Sequence, residues 1–428
     1  MSSDWIALDR RHLWHPYTQM AAAPPPVPVA RGEGLYLVTP DGRRILDGIS
    51  SWWVNIHGHS HPRLNRALAA QAERLEHVMF AGFAHEPAAR LGAELVARAP
   101  GDLPWVFYSD DGSTAVEVAL KMAYQGWRQR GETGRNLFLA LDDAYHGDTF
   151  GAMAAGGAVE LHGMFEELFF EVRRVATPVS ARRPEHGADL AEVLAREGDR
   201  VAAMIVEPMV QGAGGMIFQT PEFLAEVRRL TAERGIPLIA DEIFTGFGRT
   251  GRFFASEHAG VEPDLLCVSK ALSGGYLPLA ATLATDEIYR WFLSDDRQET
   301  FFHGHSYTAN PLACAVGLEG LALFEEEGYL ARIGELEARF RERLARLAEL
   351  PAVTTTRCLG AIAVLELATQ GRGGYLDEMG PRLADEFLAR DLLLRPLGNT
   401  LYFLPPYVVT DEEVERVFDA MEEVVGAL

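Results

Sequence analysis

Five short apolar runs, each closing on a polar residue and each followed by a helical stretch, constrain this chain more than any other feature. They are VFYSD (106–110), NLFLALDD (136–143), VAAMIVEP (201–208), PLIADEIF (237–244) and DLLCVSK (264–270). A strand with one wet face alternates apolar and polar residues. These runs do not alternate, so both faces must be covered. Strands of that kind separated by helices make a parallel sheet with helices on both sides, an α/β fold. The intervening helices carry their own signals. In TPEFLAEVRRLTAERG, Thr220 is a candidate N-cap, Pro221 takes the first helical position and Gly235 follows the end. Phe223, Val227 and Leu230 are expected on its buried face.

The ends of the chain read differently. AAAPPPVPVA (21–30) looks like an extended connector, followed by two strand-like runs around a turn at Asp41-Gly42. A long amphipathic helix is expected over roughly 331–349, then short strands at AIAVLEL and LYFLPPY. Thr410 and Glu413 have capping-box spacing, and Val414, Val417, Phe418, Met421 and Val425 form a stripe behind them. The pattern divides the chain into 1–59, a large domain over 60–328, and 329–428. The two end segments would build a smaller α+β domain together.

Composition excludes some partners. The net charge of -22 disfavours nucleic acid and anionic membranes, which need clustered Lys and Arg. Cys267, Cys314 and Cys358 are odd in number and form no C-x-x-C pair, so neither a disulfide framework nor a zinc site is expected. MSSDWIALDRRHLWHPY has no apolar core of a signal peptide, and no stretch approaches the roughly 20 apolar residues of a membrane span. A soluble cytoplasmic protein is expected.

Ligands of a parallel α/β sheet sit at the carboxyl ends of its strands. After the first run, Gly112, Ser113 and Thr114 open a helix, where backbone N–H groups and two hydroxyls can cradle a phosphate or simply cap the helix. After the second, Tyr145 and His146 lie in a Gly-rich turn; Tyr145 can stack on a planar ring or be a packed loop residue. The third run closes on Glu207 and the fourth on Asp241. A carboxylate there needs a partner: a pyridinium nitrogen, a metal ion or a salt bridge. The ordered His and carboxylate spacing of a metal site is missing. The fifth run ends in Lys270, beside a small, Gly-rich loop. Burial lowers a lysine's pKa and yields a free amine that attacks carbonyls, whereas a snorkelling surface lysine fits this apolar strand poorly. A phosphate cup, a ring stacker, a ring-nitrogen partner and a Schiff-base lysine on successive strand ends form a consistent set.

LIADEIFTGFGRTG and SKALSGG resemble the class III aminotransferases, of pyridoxal-phosphate (PLP) fold type I, and the resemblance covers essentially the whole chain. LWHPYTQM (13–20), DGISSWWVNIHGHSHP (47–62), AYHGDTFGAM (144–153), FFHGHSYTANPLACA (301–315) and LLLRPLGNTLYFLPPY (392–407) resemble, more narrowly, the biotin-pathway members. That resemblance implies amination of 8-amino-7-oxononanoate to 7,8-diaminononanoate with S-adenosylmethionine as donor. It implies PLP on Lys270, Asp241 at the pyridine nitrogen, Tyr145 on the ring, and Gly112 and Ser113 at the phosphate. Ser306 would complete the phosphate site from the partner subunit of a homodimer with interfacial active sites. Some members carry Pro-Thr where this chain has His305-Ser306, and the Ser hydroxyl would serve in place of that of Thr. The substrate pocket would take Tyr17, Trp52, Asp148 near the amine, Arg249, Gly304 and Tyr402, with Arg395 on a substrate carboxylate. Adjacent Trp residues on a strand face opposite ways, so Trp52 rather than Trp53 is expected to point into the site. Other readings stay open. The chain could be another ω-aminotransferase or a lysine-using synthase of the same product. It could also be a decarboxylase or aminomutase of this fold, or a protein without catalysis. The presence of both Lys270 and Asp241 counts against the last.

Overall fold

The computed structural model describes residues 4–157, 159–180, 186–369 and 373–428. Its centre is a seven-stranded sheet: β1 (Trp105–Ser109), β2 (Leu137–Leu141), β3 (Val172–Val175), β4 (Val201–Val206), β5 (Leu238–Asp241), β6 (Leu265–Val268) and β7 (Ala280–Ala284). The spatial order is β1-β7-β6-β5-β4-β2-β3. β7 runs antiparallel to both neighbours, and the other six strands run the same way. Every residue of β2, β4, β5 and β6 is buried, which is why those strands read as unbroken apolar runs. The fold is α/β, as expected, with two strands more than the five runs. β7 is made of small residues, AATLA, and β3 is an edge strand, VRRV, whose two arginines are partly exposed.

Helices cover both faces. The Pro221–Ala232 helix starts where its signals place it: the Thr220 side chain accepts the Phe223 N–H, and Gly235 has a φ of 60°. Such a cap contributes about 1 kcal/mol. Its fully buried positions are Leu224, Val227 and Thr231, while Phe223 and Leu230 are half-buried. The expected face is therefore rotated by about one residue, because a helical side chain leans toward the preceding turn.

Both ends of the chain meet beside this sheet. Strands Arg31–Glu33, Tyr36–Val38 and Arg44–Asp47 form a meander, and Leu392–Leu393 adds parallel to the last of them. Val353–Leu359, Ile362–Leu367 and Thr400–Phe403 form a second, antiparallel sheet. The amphipathic helix spans Tyr329–Leu347. The final helix, Asp411–Gly426, has the expected capping box, and its five stripe residues are buried. Among the described residues, no helix is long and apolar enough to cross a membrane.

One segment departs from its sequence reading. Ser50–Trp53 is not a strand but one turn of left-handed helix, with φ of 52°, 45°, 71° and 75° on four successive L-residues. Such backbone costs roughly 1–2 kcal/mol per residue, so the surrounding structure must hold it. Its consequence is that Trp52 and Trp53 do not face opposite ways.

Candidate active site

A cavity of about 640 Å³ opens at the carboxyl ends of the parallel strands, where Gly112, Ser113, Tyr145, Glu207, Asp241 and Lys270 line it together. The helix after β1 begins at Gly112, with Asp111 as N-cap. The Asp111 carboxylate accepts the Thr114 N–H, and the Thr114 hydroxyl answers to Asp111 and Asp110. Thr114 is therefore occupied by the cap, and one hydroxyl of the expected pair, that of Ser113, faces the cavity. The Gly112 and Ser113 N–H groups, in the first turn, have no intrahelical acceptor. Ser113 Oγ also accepts the Asp148 N–H at 3.1 Å, tying the helix start to the loop after β2. That loop comes so close that a Cβ on Gly147, where φ is 126°, would lie 2.1 Å from Ser113 Oγ.

Asp241 ends β5 almost fully buried. Its Oδ1 accepts the Ile243 N–H at 3.1 Å, and its Oδ2 lies 2.7 Å from Nδ1 of the buried His146. His146 Nε2 is buried and has no partner among the described residues. Glu207 accepts the N–H groups of Tyr145 and Gly212 at 3.0 and 2.9 Å. Burial pushes its carboxyl up to about 7, helped by Asp241 and opposed by His146. Lys270 is enclosed by protein except where it opens onto the cavity. Its Nζ lies 5.0 Å from the Trp53 ring centre and 5.9 Å from that of Phe244. Burial lowers its pKa, against the pull of Asp241 and Glu207, and Arg249 lowers it further.

One wall is a network of phenols on a carboxylate. Tyr17 donates to both oxygens of Asp148 at 2.8 and 2.7 Å, Tyr145 lies at 3.0 Å, and His162 Nε2 at 3.0 Å. Burial works to raise the Asp148 carboxyl, but the hydrogen bonds from His162, Tyr17 and Tyr145 outweigh it and hold it below its usual range. The Tyr145 and Tyr17 hydroxyls are both pushed up, first by burial. The opposite wall is aromatic around a cation. The Arg395 guanidinium lies 4.2 Å over the Trp52 ring and donates to the Tyr375 hydroxyl at 3.2 Å. Among the described residues it makes no ion pair. Trp53 Nε1 donates to the buried Tyr402 hydroxyl at 3.1 Å, so both tryptophans line the cavity, where Trp52 alone was expected.

Three expected residues lie elsewhere. Arg249 is fully buried outside the cavity lining. It donates to the carbonyls of Pro405 at 2.9 Å, Trp53 at 3.3 Å and Asn55 at 3.5 Å, and packs over Tyr407. In this structure Arg249, expected in the substrate pocket, braces the backbone behind the tryptophans. Gly304 and Ser306 are also outside the lining of the cavity in their own chain. They lie in a loop whose Phe302 and Tyr307 side chains are 73% and 65% exposed. Conversely, His146, His162 and Tyr375 were given no role from sequence. A lone His or Tyr has no local signature; His146 alone carried a hint, directly beside Tyr145 in the Gly-rich turn.

This fold and this site define a class, and the match is direct: the family model for class-III aminotransferases covers residues 17–425, and the chain belongs to that family. Within it, the chain is 49% identical over 425 residues to an adenosylmethionine-8-amino-7-oxononanoate aminotransferase of Synechococcus elongatus, covering 97% of this chain and 99% of that protein. A protein of the same description from Geobacter sulfurreducens is 42% identical, with 98% and 96% covered. A crystal structure of such an enzyme from Methanocaldococcus jannaschii superimposes with a TM-score of 0.93 at 35% identity, covering 99% of this chain and 98% of that one. An amine transaminase from an uncultivated Pseudomonas species, solved in its PLP-bound form, has a TM-score of 0.88 at 34% identity, with 97% and 98% covered.

Proposed function

We propose that this protein is a PLP-dependent aminotransferase of biotin biosynthesis. It takes the amino group of S-adenosylmethionine and gives it to the 7-keto carbon of 8-amino-7-oxononanoate, forming 7,8-diaminononanoate. The observation that carries this reading is one cavity holding three chemistries: an amine at Lys270, a carboxylate anchored by two phenols at Asp148, and a guanidinium at Arg395 with no carboxylate partner among the described residues. An amino donor needs the second, a carboxylated acceptor needs the third, and amino transfer between them needs the first.

The residues suit the cofactor. Gly112 and Ser113 offer first-turn N–H groups and a hydroxyl to a phosphate. Tyr145 offers a ring face. Asp241 is a buried carboxylate oriented by His146, with acceptor capacity left for a protonated ring nitrogen. When bound, PLP supplies an electrophilic carbon and an electron-accepting ring. The protein supplies the rest. Lys270 Nζ, its pKa lowered by burial, takes the proton from the reacting carbon of the substrate and returns it, as general base and then acid. Asp148, Tyr17 and Tyr145 bind the ammonium of the incoming amine. Arg395 binds the acceptor's carboxylate bidentately, with its guanidinium plane pre-oriented by Trp52 and Tyr375. Trp53 and Tyr402 close the apolar wall along the acceptor's chain.

The test is the two half-reactions followed separately. S-adenosylmethionine alone should convert the PLP absorbance to that of the pyridoxamine form, and 8-amino-7-oxononanoate should then restore it. Arg395→Ala should raise KM for the acceptor by about 10- to 100-fold, the worth of one charge-assisted bidentate contact. Conversion by lysine and not by S-adenosylmethionine would overturn the donor assignment. Carbon dioxide release without amine exchange would overturn the reaction class.

A homodimer with Ser306 reaching the partner's phosphate site fits the same family. The exposed Phe302 and Tyr307 flank Ser306 in the same loop and would be covered in such a dimer. Sedimentation should give twice the 47.1 kDa of one chain. A monomer retaining full activity would refute the shared site. We also place the protein in the cytoplasm; the three cysteines, none in a disulfide, suit a reducing compartment.

A further inference from the structure

We propose that Asp47, which does not itself line the cavity, is the positioning residue that sets both tryptophan walls, by holding the left-handed turn Ser50–Trp53. The inference rests on the function proposed above for its kinetic arm and on the free protein for the other.

Asp47 is fully buried at the end of its strand. All of its acceptor capacity goes to the turn and to one histidine. Oδ1 accepts the N–H groups of Ile49 at 3.3 Å and Ser51 at 2.9 Å. Oδ2 accepts the Ser51 hydroxyl at 2.7 Å and lies 2.9 Å from His59 Nε2. The Asn55 side-chain amide lies 3.1 Å from His59 Nδ1. With that amide donating, Nδ1 is the acceptor and Nε2 carries the proton donated to Asp47. The carboxylate therefore meets four donors, three of them from the entry to the turn.

Nothing in the turn itself favours its backbone. It contains no glycine, and bulky tryptophans are poor residues for positive φ. What it achieves is placement. Trp52 comes under the Arg395 guanidinium and edge-on to Tyr17, at 5.4 Å between ring centres. Trp53 comes beside Lys270, gives its indole N–H to Tyr402, and gives its carbonyl to Arg249. A right-handed or extended backbone here would send the two rings in other directions. Ser50 Oγ, donating to the Leu404 carbonyl at 2.8 Å, pins the turn to the chain after Tyr402. The Asp47 carboxylate holds the other side.

If Asp47 works by stabilising unfavourable backbone, glycine should replace part of its work, because glycine adopts positive φ without penalty. Asp47→Ala should change the near-ultraviolet circular dichroism of the tryptophans in the free protein. It should raise KM for the carboxylated acceptor about tenfold or more while kcat changes less. Ser51→Gly added to Asp47→Ala should recover both signals. If Asp47→Ala does not fold, Asp47→Asn and Asp47→Asn/Ser51→Gly carry the same comparison, since Asn keeps the acceptor for the two N–H groups. An unchanged tryptophan spectrum and an unchanged KM would overturn the proposal. So would a spectrum and KM altered in Asp47→Ala that Ser51→Gly leaves unrescued. A wild-type protein inactive with this substrate pair would sink the proposed function, while the spectral comparison would still decide the role of Asp47.

Discussion

Lys270→Ala is expected to lower turnover by roughly 10⁴-fold or more, the upper range for removing a positioned proton-transfer group. The loss should appear in both half-reactions, because each needs a base at the reacting carbon. Folding should be little disturbed. The Lys270 side chain opens onto the cavity, lies against the faces of Trp53 and Phe244, and makes no salt bridge among the described residues. Burial disfavours the ammonium, so removing it also removes a desolvation cost. Thermal unfolding of the variant should therefore stay at or slightly above that of the wild type. A large drop in stability would mean that the lysine is structural.

Asp241→Asn is the second large effect. A buried carboxylate at the end of β5, held by His146 and the Ile243 N–H, is the group that would pair with a protonated ring nitrogen. Asn has the same shape and no charge. Removing one preorganised charge that stabilises charge developing in the transition state costs on the order of 10²–10³ in kcat. The expected signature is a fall in kcat with cofactor still bound, since the phosphate cup at Gly112 and Ser113 and the Tyr145 face are untouched. Rapid loss of cofactor with normal kcat on reloading would instead make Asp241 an anchor and not an electronic partner. The two variants together separate the proton carrier from the group that tunes the ring.

Much of this was legible in the sequence for a simple reason. Strands buried on both faces write themselves as apolar runs, and their carboxyl ends carry the chemistry. That is how Glu207, Asp241 and Lys270 stand out. Caps are local, so Thr220 and the pair Thr410 and Glu413 were readable too. What was not readable depends on tertiary contacts. β7 reverses direction, and no periodicity encodes direction. The left-handed turn at Ser50–Trp53 is imposed by Asp47, His59 and Leu404, so its own residues give no sign of it. Thr114 looked like a phosphate ligand because capping and phosphate binding use the same residue types. Arg249 was placed in the pocket by the family resemblance alone, and a sequence does not say which way a side chain turns; here it turns to three carbonyls.

The most direct measurement of the central claim is reductive trapping. Borohydride reduction of the holoenzyme, digestion and mass spectrometry locate the residue that carries the cofactor. The chain has two lysines, Lys121 and Lys270, so the assay contains its own control. Lys121 lies on the helix after β1 and hydrogen-bonds His303 at 2.9 Å. The pyridoxyl mass should appear on the peptide containing Lys270 and be absent from that containing Lys121. Label on Lys121, or on neither, would contradict the account.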